Sequence, residues 1–354
     1  MTIVDTLSEG DSPVVQSGDM IERVRIKPTH SSLIFPQVNR FRNLRTYNNT
    51  VRHQMALGPN VVIAFEPEAA CVMLKMKKKG LHIKRVVHLH EMPDPDAYAE
   101  SLGASWALAY LRKNLSLADA VILPDRDRAE YIQSNSSLKT PPLVVMNCPR
   151  RLAELPASLL LPFLRERGID SSRIVHYQGA VGPDHKLETV IKSMRFWPAD
   201  SVFVIVGAGR KWYLKKLTEL TAAEGVAHRV IFAGRIPYDQ LFQYAIGASV
   251  GVTLLDPSGL NTKLCAGAGN KRFEYAALGI PQVTNDGPGI QGLFGDTGIA
   301  AIANHNDVSE IGQKISHYLT NEAFARDAGA KARAIHLQSY NYEHQFQKVL
   351  EFIG

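Results

Sequence analysis

The stretch "NKRFEYAALGIP", Asn270 to Pro281, places a lysine and a glutamate three residues apart at the opening of a helical-period segment. Lys271, Glu274 and Leu278 fall on neighbouring turns of one helix face, with Asn270 as the predicted N-cap and Ala276, Ala277 and Gly279 permitting tight packing. A helix start with a cation in its first turn suits phosphate, because its free N–H groups and its dipole both favour an anion. A carboxylate one turn on can accept a pair of hydroxyls, such as those of a ribose. The same spacing also fits a plain Lys and Glu pair on a surface helix. A second lysine, Lys186, follows an apolar run and the loop from Gly179 to His185, which carries its ammonium to the start of the next helix.

Other patterns test other chemistries. "VGAGR" after a strong apolar run opens like a dinucleotide fingerprint with Gly207 and Gly209, but Trp212 stands where the third glycine belongs, which argues against a nicotinamide site. In "HLHEMPDPD", strand periodicity puts His88 and His90 on one face, with Glu91 starting the loop. Two histidines without a third defined ligand do not make a zinc site, and Asp94 and Asp96, split by Pro95, read as turn chemistry. No metal is expected. Cys71, Cys148 and Cys265 are scattered and odd in number, giving neither a disulfide framework nor a metal-ligand spacing.

These residues need a framework. Short β-branched runs alternate with helical-period segments, the pattern of parallel sheets with crossover helices. The strands predicted in the first half are Asn60 to Phe65, Lys84 to His90, Ala120 to Pro124 and Leu143 to Asn147. Those in the second are Arg173 to Gln178, Ser201 to Gly207, Arg229 to Gly234, Ala248 to Leu254, Ile280 to Asn285 and Gly298 to Ile302. At 354 residues the chain suits two α/β domains, divided near Pro156. Residues 1–20 are expected to be a disordered tail, 21–156 and 157–338 the two domains, and 339–354 a closing helix returning to the first domain. A net charge of +6 favours anionic partners in general, but aromatic residues do not interleave with a basic stripe, so nucleic acid is not expected. No apolar run reaches the ~20 residues of a membrane span. The start of the chain has no basic flank followed by an apolar stretch, and a cytoplasmic location is expected.

Three segments in order, "VHYQGAVGPDHKLETVIKSM", "VFVIVGAGRKWYLKKLTEL…RVIFAGRIPYDQL" and "GNKRFEYAALGIPQVTNDGPGI", resemble the C-terminal domain of family 4 glycosyltransferases. In the first half "VVHLHEMPD" and "LADAVILPDRDRAEYI…LVVMNCP" look like strand endings of that family's N-terminal domain, and "YNYEHQFQKVLEFI" is similar to its closing helix. The resemblance implies the GT-B fold: α/β, with two Rossmann-like domains facing across a cleft, the first of them abbreviated here. It implies transfer of a hexose from a uridine or guanosine diphosphate sugar to a carbohydrate or lipid-linked acceptor, with retention, without metal and with no cofactor. By resemblance Glu274 grips the ribose, Lys271 meets the diphosphate and Lys186 neutralises the leaving diphosphate. Gly207, Gly209, Arg235 and Ile236 line the nucleotide site, His90 stands against the donor sugar, and Glu91 and Asn270 are further donor-sugar contacts.

Two positions depart from the family pattern. Ala266 stands where the first of two glutamates separated by seven residues is found, and Ala180 where an arginine follows the glycine before the phosphate lysine. Both remove groups close to the transferring sugar. Rival readings are a catalytically weak glycosyltransferase-like subunit that binds nucleotide sugar for a partner, and a nucleotide-sugar epimerase. The segment "AACVMLKMKKKGLHIKR", Ala69 to Arg85, with Lys75, Lys77, Lys78, Lys79, Lys84 and Arg85, reads either as a solvated helix end or as a peripheral contact with anionic membrane.

Overall fold

Apolar runs buried on both faces make the strands of parallel sheets, and strands of this kind form the centre of the six-stranded sheet of this chain. The structure, a computed structural model, describes residues 48–54, 56–76, 83–92 and 102–354, with residues 2–6, 22–26 and 102–105 described by their backbone. The chain divides into two compact units, 1–89 with 95–121 and 135–140, and 90–94 with 122–134 and 141–354. Pro156, the expected boundary, therefore lies inside the second unit.

Strands β1 (Thr2–Thr6) and β2 (Glu22–Ile26) pair in parallel as a separate two-stranded sheet. The first of them falls in the segment expected to be a tail. The Ser-rich, acidic composition of that segment masks the short β-branched run of "TIVDT". Strands β3 (Val61–Phe65), β4 (Lys84–His88), β5 (Ala120–Leu123) and β6 (Leu143–Val144) form a four-stranded sheet in that order. β4 stops at His88, so His90 lies in the following loop rather than sharing a strand face with His88. His88 is buried, its ring 5.0 Å from that of Phe65.

The second unit is built on six strands: β7 (Ile174–Gln178), β8 (Val202–Val206), β9 (Val230–Gly234), β10 (Val250–Thr253), β11 (Gln282–Asn285) and β12 (Ala300–Ala303). Their order across the sheet is β12-β11-β10-β7-β8-β9, with parallel pairing throughout. The chain starts in the middle, winds outward one way to β9, then returns to β10 on the other side of β7. The reversal between β7 and β10 opens a crevice outside their carboxyl ends, where ligands of such sheets bind. Every residue of β7 and β8 is buried. Fully buried His176 is kept neutral, its pKa pushed to about 3 mainly by burial. Its Nδ1 lies 3.1 Å from the Tyr275 hydroxyl, which donates to the His176 carbonyl at 2.9 Å. This keys the helix Asn270–Leu278 to the central strand.

That helix buries Phe273 and Ala276 with Phe294, Ile299, Ala332 and Tyr340, and packs against the helix Glu322–Gln338. The closing helix, Tyr342–Ile353, is capped by Asn341, whose side chain accepts from the His344 N–H, and it lies against β6.

Candidate functional site

The β7 to helix connection supplies the first cation. After Gln178 the loop runs through a short turn, Pro183–His185, to Lys186, which takes a left-handed conformation (φ 50°, ψ 29°) and caps the helix Leu187–Ser193. The Lys186 ammonium pairs with Asp256 Oδ2 at 2.6 Å. Asp256 sits in the loop after β10, the other strand of the reversal. Its own N–H donates to the Asp184 carbonyl at 2.7 Å, and its Oδ1 accepts from the Ser258 N–H at 3.0 Å. The Lys186 hydrogen bond holds the Asp256 carboxyl below the usual carboxylate range.

Lys271 stands in the first turn of the helix Asn270–Leu278. The N-cap is Gly269, and Asn270, predicted for that place, is instead the first helical residue and is exposed, because the chain enters through the glycine with no side-chain cap. The Lys271 ammonium lies 3.4 Å from both the Tyr177 hydroxyl and His185 Nδ1. Both neighbours are neutral. Burial first, and Lys271 second, push His185 down to about 3, while burial raises the Tyr177 phenol. Among the described residues no carboxylate forms an ion pair with Lys271, and burial lowers its pKa to about 8.

Glu274, 5% exposed, turns toward the end of β7, where Oε2 accepts from Gln178 Nε2 at 2.6 Å. Burial raises its pKa, with Gln178 and Lys271 opposing the rise. Gln178 is fully buried and its Oε1 has no hydrogen-bond partner among the described residues. The surface ion pair that the spacing also allowed is thus absent: both groups face inward, and each meets a different residue of β7.

Gly207 and Gly209 bring the β8 loop onto the β7 loop. Gly207 has φ 152°, and a Cβ there would stand 1.8 Å from the Gly179 carbonyl oxygen; one on Gly209 would stand 2.5 Å from that of Val181. Their glycine identity is fixed by backbone contact. The same loop meets Lys271, whose Nζ lies 3.0 Å from where a Cβ on Gly179 would be.

Lys186, Lys271 and Glu274 therefore gather with Gly207 around the end of β7. Arg235 and Ile236 lie on the loop after β9, exposed and half-buried respectively. Glu91 is exposed. His90 Nδ1 lies 3.3 Å from Asn147 Oδ1, and Asn147 Nδ2 donates to the Ala268 carbonyl at 3.1 Å, which ties His90 to the loop entering the Lys271 helix. Buried Arg128 braces the same region, donating to the carbonyls of His90 and Asn261 at 2.5 and 2.8 Å. Ala266 is buried, and the Ala180 carbonyl accepts from the Tyr177 hydroxyl.

Sequence reasoning missed Tyr177, Gln178, His185 and Asp256. Gln178 and Tyr177 end a strand already identified, and "DPS" at Asp256 is an Asx-turn signal beside a switch-point strand. Among the described residues no three His, Cys, Asp or Glu side chains are gathered as a metal site; Asp94 and Asp96 lie outside them.

The chain superposes on known structures over nearly its whole length. HepE of Anabaena, solved with UDP and glucose, superposes with a TM-score of 0.72 at 14% identity, covering 94% of this chain and 86% of that one. The fold is GT-B. A sucrose-phosphate synthase from Thermosynechococcus elongatus shares this GT-B fold with a TM-score of 0.73 at 17% identity, over 99% of this chain and 87% of that one. An E. coli structure described as trehalose-6-phosphate bound with UDP-2-fluoro glucose does so with 0.65 at 11%, over 99% and 91%. Residues 187–351, within the second compact unit, match the family described as "Glycosyl transferase-like". Among curated proteins, none matches the chain in sequence.

Proposed function

We propose that the chain is a glycosyltransferase that takes a hexose from a uridine or guanosine diphosphate sugar and passes it to a carbohydrate or lipid-linked acceptor. The observation that carries this reading is Lys271, a half-buried ammonium at a helix N-terminus whose hydrogen-bonding neighbours, the Tyr177 hydroxyl and His185 Nδ1, are both neutral. Withdrawing a cation from water without a direct ion pair is costly, and a diphosphate delivered to the switch-point crevice supplies that partner. Glu274, one turn on and near-buried, then takes the hydroxyl pair of the ribose. The structures of HepE with UDP and glucose support uridine as the base.

In this reading Lys271 holds the diphosphate in the ground state, and Lys186 meets the charge that grows on it as the glycosidic bond breaks. His90 is assigned to the donor sugar, with retention at the anomeric carbon, and the lysines and helix start serve as charge partners in place of a metal. The enzyme works in the cytoplasm, in peripheral contact with anionic membrane. The test is thermal stabilisation by UDP, GDP and their sugars. A shift with UDP or GDP is the expected result; a shift with NAD and none with either diphosphate overturns the reading.

A further inference from the structure

The two lysines of the site differ in their partners. Lys271 has neutral neighbours, whereas Lys186 is already matched with a carboxylate at 2.6 Å. Two further contacts show that this carboxylate is itself fixed. Ser258 N–H holds its other oxygen at 3.0 Å, and the Asp256 N–H ties the β10 loop to the Asp184 carbonyl on the β7 loop at 2.7 Å. Those loops leave adjacent strands on the two sides of the chain reversal. The backbone of Lys186 is held at φ 50°, where non-glycine residues seldom stay without support.

Resting on the glycosyltransferase reading above, we infer that Asp256 is a positioning residue that sets the Lys186 ammonium at the crevice for the leaving diphosphate. A lysine has a flexible four-carbon stem and three N–H donors. A rigid carboxylate taking one donor fixes the direction of the other two, and the rotamer entropy of the stem is lost before the ligand arrives. In Asp256→Asn the Ser258 N–H keeps its acceptor, but an amide nitrogen faces the ammonium, so the chain's shape stays while the restraint goes. Asp256 acts here through Lys186 and touches no reacting atom.

UDP is the leaving group with its charge fully developed, so its affinity relative to UMP reads the β-phosphate contact without any acceptor. The experiment measures dissociation constants of UDP and UMP by calorimetry for the full chain, Asp256→Asn, Lys186→Ala and the double variant. The unaltered protein should prefer UDP. Both single variants should lose about fivefold or more of that preference with UMP affinity kept within about twofold, and the double variant should lose no more than either, because the two groups act as one unit. Asp256→Ser, which also retains an acceptor for the Ser258 N–H, should behave alike and serves if the Asn variant does not fold. An unchanged preference in the Asp256 variants, losses that add in the double variant, or tighter UDP binding once the carboxylate is gone each overturn the inference. The last would make Asp256 a competitor of the phosphate. Absence of a UDP preference in the unaltered protein, with GDP and GMP giving the same result, overturns the glycosyltransferase reading first and this inference with it.

Discussion

Lys271 and Glu274 are titrating groups in unusual places, and each gives a measurable consequence. Burial holds Lys271 near a pKa of about 8, below its ordinary 10.5, so the unfolded chain binds more protons between those values. The lysine's contribution to stability therefore rises with pH through that window, and below about 8 it is constant. Ligand binding runs the other way. A diphosphate restores the charged form, so UDP binding should take up a proton above pH 8 and weaken as pH climbs through the window. Calorimetry in buffers of different ionisation heat would show the uptake, and Lys271→Met should abolish it; identical uptake in that variant places the titrating group elsewhere. For Glu274 the apt change is Glu274→Gln, because Gln178 Oε1 stands buried without a partner among the described residues and can accept from the new amide. We expect an unchanged or raised melting temperature together with a UDP affinity lower by roughly tenfold, one charged hydrogen-bonding site for the ribose being lost. A fall in both would mark Glu274 as structural.

At the scale of elements, the close approach of the β7 and β8 loops shapes the crevice. Gly207→Ala would drive a methyl into the Gly179 carbonyl at a φ of 152°, and we expect a loss of about 3–5 kcal/mol in urea unfolding. A loss under about 1 kcal/mol would mean the loop relaxes freely. Such contacts also explain what the sequence could and could not convey. The strands from β3 to β12 were legible because parallel strands buried on both faces read as continuous apolar runs, and their ends were legible to within a few residues. Lys186 and Lys271 were legible because each follows a strand end or opens a helix. Their partners were not, since Asp256, His185 and Tyr177 meet them through the order of strands across the sheet, which no local spacing encodes. Asn270 misled for a similar reason: a good capping residue was displaced one position inward by Gly269.

For the molecule as a whole, the remaining question is where it works, and the basic segment after β3 bears on it. Among the described residues no helix is long and apolar enough to cross a membrane. Lys77, Lys78 and Lys79 lie outside the described residues, but the flanking ones reshape the expectation. Arg85 is withdrawn from it: the side chain is 8% exposed on β4 and donates to the Met76 carbonyl at 3.4 Å. Lys75 stays exposed in the last turn of the helix Glu66–Lys75, its ammonium 3.4 Å from the centre of the Trp106 ring, and Trp106 is itself 57% exposed. A cation beside an exposed indole is the pairing that suits a headgroup layer, where the ring sits at the interface and each basic residue contributes ~1 kcal/mol near an anionic surface. We therefore expect the protein to sediment with vesicles rich in anionic lipid at low salt and to be released as the Debye length shrinks. Replacing Lys75, Lys77, Lys78 and Lys79 by Gln should abolish the binding, and Trp106→Ala should weaken it. Both variants should keep the thermal shift with UDP, since Lys186, Lys271 and Glu274 belong to the other unit. Binding that ignores these substitutions, or none at low salt, would leave the segment as the solvated end of a helix.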